Sequence, residues 1–564
     1  PAPTGGRTVY VRAADAAQNV LPTVAVTVPE GVRKHTFDID LTGLASGALT
    51  LESSLSADFG GSNVYTSRLV VYVAQSVIDD LYEEVKTPYE YGVILRPGQA
   101  GDIDSNVVDN PLPFRIPGDE EHVYMTYVAH NGIGYQTGLA RSVDFVTWEK
   151  LGTLIDDQNV QSWDRYNAAG YIVRDHEWGK APYPHIVPED NEGPFAGKYV
   201  MSYLASDTAG YEAGIKRGGM AYTDRLLGED GSPVLWARYP DPVLVPTHSY
   251  EKNIIWKSIV VYDSGKDRYE ILYNCASGPE IIAQAYSTDL VNWAKEEDNP
   301  TLTAETHNGY TWGNSHSADP DVVKIGDYWV MFYFTTTPGG IVDSYAVSTD
   351  MVHWTKSFKI LTPRNSTWSS TYAHKPGVIK QNGVVYHYYC AVGNQGRVNA
   401  VNTSVDLSVI QRAQAATADD FAVEYQYRRV QTALANLQYE LRREDGSLEQ
   451  VLAARELLTK ALDADEPIPT ELILTRGSGE EDAVFTATAV GTADGPFVAS
   501  VLLAAYDDAG RLVGVATRSE SVSSGALYEL TAALDTAGRA AALVKAFLWN
   551  GAEPVCPAAA YRIE

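Results

Sequence analysis

One short pattern recurs along the middle of the chain and constrains the fold more than any other feature. Between about residue 105 and residue 410, five apolar segments alternate with a period near two, and each carries one Tyr in register. An Asp follows this Tyr after 16 or 17 residues in four copies and after 21 in the other. The pairs are Tyr127 and Asp144, Tyr203 and Asp224, Tyr273 and Asp289, Tyr333 and Asp350, and Tyr389 and Asp406.

The pattern is typical of one small β-sheet. An alternating segment predicts a strand, and a Ser-x-Asp group predicts a turn whose carboxylate accepts hydrogen bonds from the backbone that follows. Three copies continue into an anchoring Trp, namely Trp148, Trp293 and Trp354. Because these turn residues repeat, we interpret them as structural. Five copies in a mainly β chain predict a five-bladed β-propeller over residues 78–411.

The segments on either side of the repeats have other patterns. Residues 1–77 contain strand-like runs with Gly- and Ser-rich turns, which predict an accessory β-sandwich. Residues 412–468 have Ala, Leu, Glu and Arg at a spacing near 3.6, which predicts a helical connector. Residues 469–564 alternate again and predict a C-terminal β-sandwich.

The charge of the chain excludes some classes of partner. The 564 residues include 43 Lys and Arg against 72 Asp and Glu, a formal charge of -29. Nucleic acids and anionic membrane surfaces attract clustered positive charge, so neither is an expected partner. No apolar run approaches the roughly 20 residues needed to cross a bilayer. The first residue is Pro1, and we expect an extracellular or cell-surface bacterial protein.

Polar residues occur where the first strand of each blade is predicted to begin. In a propeller these strands surround a central funnel, so polar residues at their starts converge. Aligning the prolines of three strands places Asn110 opposite Asp319 and Lys375. The candidate funnel residues on or just before the first strands are Asp109, Asp164, Lys257, Asp319, His374 and Lys375.

The starts of the third strands add Glu212, Glu280 and Arg397 to this set. Two facing carboxyl groups are what glycoside hydrolysis requires, one protonated and one ionised. Nearby cations would lower the pKa of one acid, while burial would raise that of the other. For Trp312, a sugar-stacking surface and a packed loop anchor are both open. Asp109, Asp319 and Glu280 also have a purely structural alternative, as acceptors in turns or strand openings.

These motifs resemble a known group of enzymes. The repeats, the Asp109-Asn-Pro opening, Ala318-Asp-Pro320 and Ala373-His-Lys-Pro376 are similar to the five-bladed propeller glycosidases of glycoside hydrolase family 43. Families 32, 117 and 130 share that scaffold. The resemblance covers roughly residues 80–410 and implies that Asp109 matches the general base of an inverting reaction. It also implies that His374 approaches a central cation or the substrate.

Two acids of that family have no match in this sequence. The second-blade Asp is missing, and the third-blade Glu is replaced by Lys257-Ser258. The general acid is therefore expected from Glu280, Glu212 or Asp319, in that order. We also expect the long insertion at residues 175–197 to close one side of the funnel into a pocket.

The prediction is a secreted glycoside hydrolase, exo-acting on a glycan side chain or oligosaccharide. No cofactor is expected to be required and no metal ligand set is predicted, although a structural calcium ion is possible. A non-catalytic carbohydrate-binding propeller is one alternative, because it would explain the missing acids. The other is a phosphorylase similar to family 130, with Lys257, Lys375 and Arg397 as its phosphate site.

Overall fold

The computed structural model describes residues 5–15, 17–32, 35–60, 64–156, 162–166, 168–276, 278–463, 468–478 and 483–563. Strands outnumber helices throughout, which confirms the mainly β class. Internal contacts divide the chain into two compact units. The first contains residues 1–407 and 439–448, and the second contains residues 408–438 and 449–564. Among the described residues, none of the helices is both long enough and apolar enough to cross a membrane.

The first unit begins with one antiparallel sheet and a helix. The strand order is β2-β1-β3-β4, and Ala13, Leu44 and Leu49 are buried together against the sheet. A sandwich needs two sheets, and the described part of residues 1–77 has its strands in this sheet alone. The elements are β1 (Arg7–Ala14), β2 (Val24–Val28), β3 (Gly47–Ser54), β4 (Val64–Tyr72) and α1 (Gln75–Val85).

Five antiparallel sheets follow, which we call repeat sheets 1 to 5. Strand β5 (Tyr89–Leu95) comes before them in the sequence and is described with sheet 5. Repeat sheets 1 to 3 each run through four consecutive strands. Sheet 1 has β6 (Val107–Phe114), β7 (Val123–His130), β8 (Tyr135–Ser142) and β9 (Trp148–Ile155). Sheet 2 has β10 (Ala169–Ile172), β11 (Tyr199–Ala205), β12 (Arg217–Thr223) and β13 (Ala237–Arg238). Sheet 3 has β14 (Ile255–Asp263), β15 (Arg268–Cys275), β16 (Ile281–Ser287) and β17 (Ala294–Lys295).

The last sheet is completed by a strand from the beginning of the region. Strand β5 pairs with β26 as the fourth strand of sheet 5, so the start and end of the region are joined by backbone hydrogen bonds. A hairpin of β18 (Glu305–His307) and β19 (Tyr310–Trp312) precedes sheet 4. Sheet 4 has β20 (Ser317–Ile325), β21 (Tyr328–Thr337), β22 (Gly340–Ser348) and β23 (Thr355–Lys356). Sheet 5 has β24 (Tyr372–Gln381), β25 (Val384–Gly393) and β26 (Gly396–Thr403).

The first strands of the repeat sheets contact one another in sequence. Strand β10 touches β14, β14 touches β20, β20 touches β24, and β24 touches β6 of sheet 1. A buried ion pair lies among them, with Nη2 of Arg174 3.1 Å from Oδ2 of Asp321. The same Oδ2 accepts a 2.8 Å hydrogen bond from the backbone N–H of Val378, and Arg174 also donates to the carbonyl of Pro113. These bonds tie four of the five sheets together.

The repeated residues form two repeated structures. In the turn, Oδ1 of Asp289 accepts the backbone N–H groups of Val291 and Asn292 at 2.9 and 2.7 Å, and Trp293 donates to the carbonyl of Leu290. The Asp144 and Asp350 turns have the same bonds, which agrees with a structural role. The Tyr hydroxyl of sheets 1, 2 and 3 donates to a buried carboxylate. The pairs are Tyr127 with Asp104, Tyr203 with Asp164, and Tyr273 with Glu251.

The second unit has helices followed by two sheets. One sheet has the order β27-β28-β31, and the other has β30-β29-β32-β33 with β34 beside β32. Phe485, Val501, Leu530 and Val544 are buried in one core to which both sheets contribute. The helices are α2 (Ser408–Ala415), α3 (Glu424–Arg442), whose last residues belong to the first unit, and α4 (Leu448–Asp463). The strands are β27 (Glu471–Arg476), β28 (Val484–Thr492), β29 (Phe497–Tyr506), β30 (Leu512–Val522), β31 (Leu527–Asp535), β32 (Leu543–Asn550), β33 (Glu553–Pro554) and β34 (Ala559–Arg562).

Candidate active site

A cavity of about 240 Å³ lies where the first and third strands of the repeat sheets begin. All five repeat sheets contribute side chains to its wall. The charged and polar residues are Asn110, Glu212, Lys257, Asn274, Glu280, His316, Asp319, His374, Lys375 and Arg397, and the aromatic ones are Tyr135, Tyr171, Tyr211, Trp256, Phe334 and Tyr372.

Bulges direct three of these side chains into the cavity. In β6, β20 and β24 the pairing register shifts at the residues around the aligned prolines. The residue before each proline has a positive φ, at 43° for Asn110, 50° for Asp319 and 66° for Lys375. This conformation is strained for a residue with a side chain, and a following proline favours extended backbone instead. Strain of this kind concentrates at functional sites. The alignment of these three residues from the sequence therefore matches their positions.

Asp109 lies behind the wall of the cavity and holds two cations. Its Oδ2 is 2.8 Å from Nζ of Lys375 and 3.0 Å from Nη1 of Arg397, and its Oδ1 accepts the N–H of Asn110. Burial alone would raise the pKa of Asp109, but Lys375 and Arg397 outweigh it and lower the pKa well below its ordinary value. Asp109 is therefore a fixed anion that positions Lys375 and Arg397.

Two further carboxyl groups share one amide. Nδ2 of Asn274 donates to Oε2 of Glu280 at 2.9 Å and to Oδ1 of Asp319 at 2.7 Å. Burial, followed by the nearby charge of Asp319, raises the pKa of Glu280 to about 8. Burial also raises the pKa of Asp319, although Lys375 and Lys257 oppose this effect. Glu280 is thus a carboxyl group that keeps its proton at neutral pH, as a general acid must.

Glu212 is the exposed carboxylate of the wall. It stands in the loop before β12 with a φ of 55°, and its backbone N–H donates to the hydroxyl of Tyr135 at 3.2 Å. Tyr135 and Tyr211 meet edge to face, with ring centroids 5.5 Å apart. Because Glu212 is solvated and lines the same cavity as Glu280, the two supply the protonated and ionised pair that the sequence predicted as a possibility.

Lys257 and His374 complete the wall. The ammonium group of Lys257 is buried, donates to the carbonyl of Pro376 at 3.2 Å, and has a pKa lowered by burial. Nδ1 of His374 is 2.8 Å from the carbonyl oxygen of Cys390, so it carries the proton and donates. Burial, with Arg397 and Lys375 nearby, lowers the pKa of His374 well below its usual range. His374 is therefore neutral, with Nε2 as an acceptor 3.4 Å from Nη1 of Arg397.

Two predicted site residues lie elsewhere. Asp164 accepts the hydroxyl of Tyr203 at 2.8 Å and lies 3.4 Å from Nη1 of Arg238, so it belongs to the repeated Tyr–carboxylate structure rather than to the cavity wall. Trp312 is buried and packs edge to face against Phe358, with ring centroids 5.5 Å apart, which is the loop-anchor alternative. Residues 175–197 do not line this cavity either.

Asn274 is a site residue that the sequence analysis missed. It follows the repeated Tyr of sheet 3 directly, and the residues that follow the repeated Tyr in sheets 1, 2 and 4 also line the cavity. Those residues are the apolar Val128, Leu204 and Phe334. A polar residue at one copy of an otherwise apolar position was the signal that could have found it.

The described residues contain no cluster of three or more His, Cys, Asp or Glu side chains suited to a metal ion. The structural calcium ion considered above stays a prediction.

Comparisons with known proteins point to one class of enzyme. No family model matches the chain, and no curated protein matches it. A solved structure named as a complex of BT0996 with RGII is 28% identical with a TM-score of 0.52, covering 60% of this protein and 97% of that one. A second structure, named "Glycoside hydrolase", has the same values. A thermostable family-43 glycoside hydrolase is 15% identical with a TM-score of 0.37, covering 54% of this protein and 92% of that one. The predicted resemblance is confirmed: over about three fifths of its length, this protein is similar in structure to glycoside hydrolases.

Proposed function

We propose that residues 78–411 form a five-bladed β-propeller that hydrolyses glycosidic bonds in the cavity described above. The observation that carries the proposal is the protonated carboxyl group of Glu280 in the same cavity wall as the exposed carboxylate of Glu212. The similarity to solved glycoside hydrolases at 28% identity supports it. The cyclic contacts between first strands and the closure of sheet 5 by β5 support the propeller.

In the reaction, Glu280 donates its proton to the glycosidic oxygen as the bond to the leaving group breaks. Asn274 holds the carboxyl group in place by donating to Oε2, which leaves Oε1 for the substrate. Asp319 contributes the negative charge that helps to keep Glu280 protonated. This division of roles places the general acid first among the predicted candidates.

Glu212 acts as the ionised partner, either activating water or attacking the anomeric carbon. Asp109, the base expected from the resemblance, is less suited to that role, because a carboxylate with a strongly lowered pKa is a weak base. Its two ion pairs also place Lys375 and Arg397 between it and the cavity. We therefore assign Asp109 a positioning role, with Lys375 and Arg397 binding sugar hydroxyl groups.

The substrate is an oligosaccharide or polysaccharide, attacked at a chain end. A cavity of about 240 Å³ suits one terminal sugar better than a long chain segment. Because one structural neighbour is named as a complex with RGII, that glycan is the first natural substrate to test. We propose secretion and accessory roles for the flanking regions on the same grounds as in the sequence analysis.

The test is a screen of nitrophenyl glycosides and of RGII with the wild type and three variants. We expect Glu280→Gln and Glu212→Gln each to lower kcat by about 100-fold or more, because each removes a proton-transfer or nucleophilic group. Asp109→Asn is expected mainly to raise KM, because Lys375 and Arg397 lose their shared anion. A leaving group that needs no protonation should partly restore Glu280→Gln but not Glu212→Gln.

The screen also separates the alternatives. Turnover that requires inorganic phosphate would replace hydrolysis by phosphorolysis, and sugar binding without any turnover would replace it by a binding function. If Glu212→Gln keeps kcat within about threefold while Asp109→Asn loses it, the base is Asp109 and our assignment is wrong.

A further inference from the structure

A second cavity, of about 410 Å³, lies at the opposite ends of the first strands. Residues directly after β10, at the end of β14 and at the end of β20 line it, whereas the candidate active site is at the starts of these strands. The 175–197 insertion supplies much of its wall. The buried Arg174–Asp321 pair stands at the axial side of this cavity, among the first strands. The insertion expected to shape the active site therefore shapes a different cavity.

Backbone hydrogen bonds hold the insertion in a fixed form. The N–H of Trp178 donates to the carbonyl of Lys324 at 2.9 Å, and the N–H of Lys324 donates to the carbonyl of His176 at 2.8 Å. The N–H of His185 donates to the carbonyl of Val173 at 2.9 Å, and that of Asp175 to Tyr183 at 2.8 Å. A wall built on such bonds needs little ordering when a ligand binds, so less free energy is lost on binding.

Aromatic rings and hydrogen-bonding groups are combined in this wall. The half-buried rings of Tyr183 and Tyr262 line it, and Tyr262 stacks on His185 with centroids 5.0 Å apart. Lys324 lies over the ring of Trp329, with Nζ 5.3 Å from the centroid. Half-buried aromatic rings offer apolar faces to C–H groups, while the polar groups around them can bind hydroxyl groups.

The charges in the wall are balanced. Lys180 and Lys324 are matched by Asp175 and Glu177, and all four line the cavity. The pKa of Asp175 is raised by burial and by the nearby charge of Glu177. A strongly anionic or cationic ligand would meet like charge here, so the arrangement favours a neutral ligand with many hydroxyl groups.

We propose that this cavity is a second carbohydrate-binding site, which holds a neutral oligosaccharide segment while the candidate active site works on a chain end. Tyr262 and Tyr183 provide the stacking surfaces, and Lys324, Asp175 and Glu177 bind hydroxyl groups. The ligand class rests on the proposed function, but binding at this site does not depend on catalysis.

The test is affinity electrophoresis in gels that contain soluble arabinan, xylan, mannan or RGII. We expect at least one glycan to retard the wild type and Glu280→Gln equally. Tyr262→Ala should weaken that retardation at least fivefold, and Tyr262→Phe, which keeps the ring, should restore it. Tyr65→Ala, which removes an exposed Tyr far along the sequence from this wall, should have no effect. Turnover of a small nitrophenyl glycoside by Tyr262→Ala should stay within twofold of the wild type.

The proposal is overturned if none of the four glycans retards the wild type, or if Tyr262→Ala is retarded as strongly as the wild type with an unchanged melting temperature. If Tyr262→Ala melts at a lower temperature, Lys324→Ala replaces it and must weaken retardation by the same criterion. Retardation that depends on Tyr262 without hydrolysis of any glycoside would leave this site standing while the proposed function fails.

Discussion

At the scale of the residue, the candidate site divides its carboxyl groups by their surroundings. Asp109 is tied to two cations and stays ionised, while Glu280 is buried beside another acid and stays protonated. The sequence predicted which residue types would meet, since Asp109, Glu280, Asp319, Lys375 and Arg397 do come together. It could not predict their pKa values, because those depend on which oxygen meets which nitrogen across strands far apart in the sequence.

The raised pKa of Glu280 predicts how activity depends on pH. A general acid works only while protonated, so kcat/KM should hold through pH 7 and fall as the pH rises through about 8. A rate profile from pH 5 to pH 10 measures this. In Glu280→Gln the residual rate should lose this alkaline limb. A wild-type rate that instead increases as the pH rises through 8 would mean that Glu280 acts in its ionised form.

At the scale of the element, the repeat explains both a success and a correction. The Ser-x-Asp turns were identified correctly because their bonds are local and each copy contains its own partners. Asp164 was assigned to the substrate because its equivalents, Asp104 and Glu251, stand at different distances before the repeated Tyr. Only the structure reveals that these three carboxylates occupy the same place in their sheets.

The structural role of Asp164 predicts a loss of stability without a loss of catalysis. Asp164→Asn weakens a buried contact with Tyr203 and Arg238, which should cost about 1–3 kcal/mol of unfolding free energy. Thermal melting measures this cost, and kcat and KM should stay within twofold of the wild type. Asp104→Asn in sheet 1 is the matched variant and should behave alike. A raised KM with unchanged melting in Asp164→Asn would return this residue to the substrate site.

At the scale of the whole first unit, one strand closes the repeat region. Strand β5 pairs along β26 with Gly92 at a φ of 121°, beside a shift in register. An unpaired β26 would expose backbone groups to other molecules. The partner of β5 could not be predicted from the sequence, because nothing local in Tyr89–Leu95 specifies pairing with a strand near residue 400.

Gly92→Val is therefore expected to lower stability and to cause aggregation. Its φ is unfavourable for Val, at a cost of about 1–3 kcal/mol, and a displaced β5 leaves an open sheet edge. Gly118→Val is the control, because Gly118 also has a positive φ, 83°, with open space around it, but lies in a turn. Melting curves with light scattering compare the two. Equal melting temperatures and equal scattering would argue against the closing role of β5.

The strained residues before the prolines have a consequence for the evolution of this scaffold. Asn110, Asp319 and Lys375 stand at breaks in the strand pairing, so their side chains face the cavity without being needed for the regular pairing on either side. Each sheet already carries a different chemical group at this point. New sugar preferences can therefore arise by exchanging three side chains while the frame is inherited intact, and a mutant library restricted to these positions would sample them with little loss of folded protein.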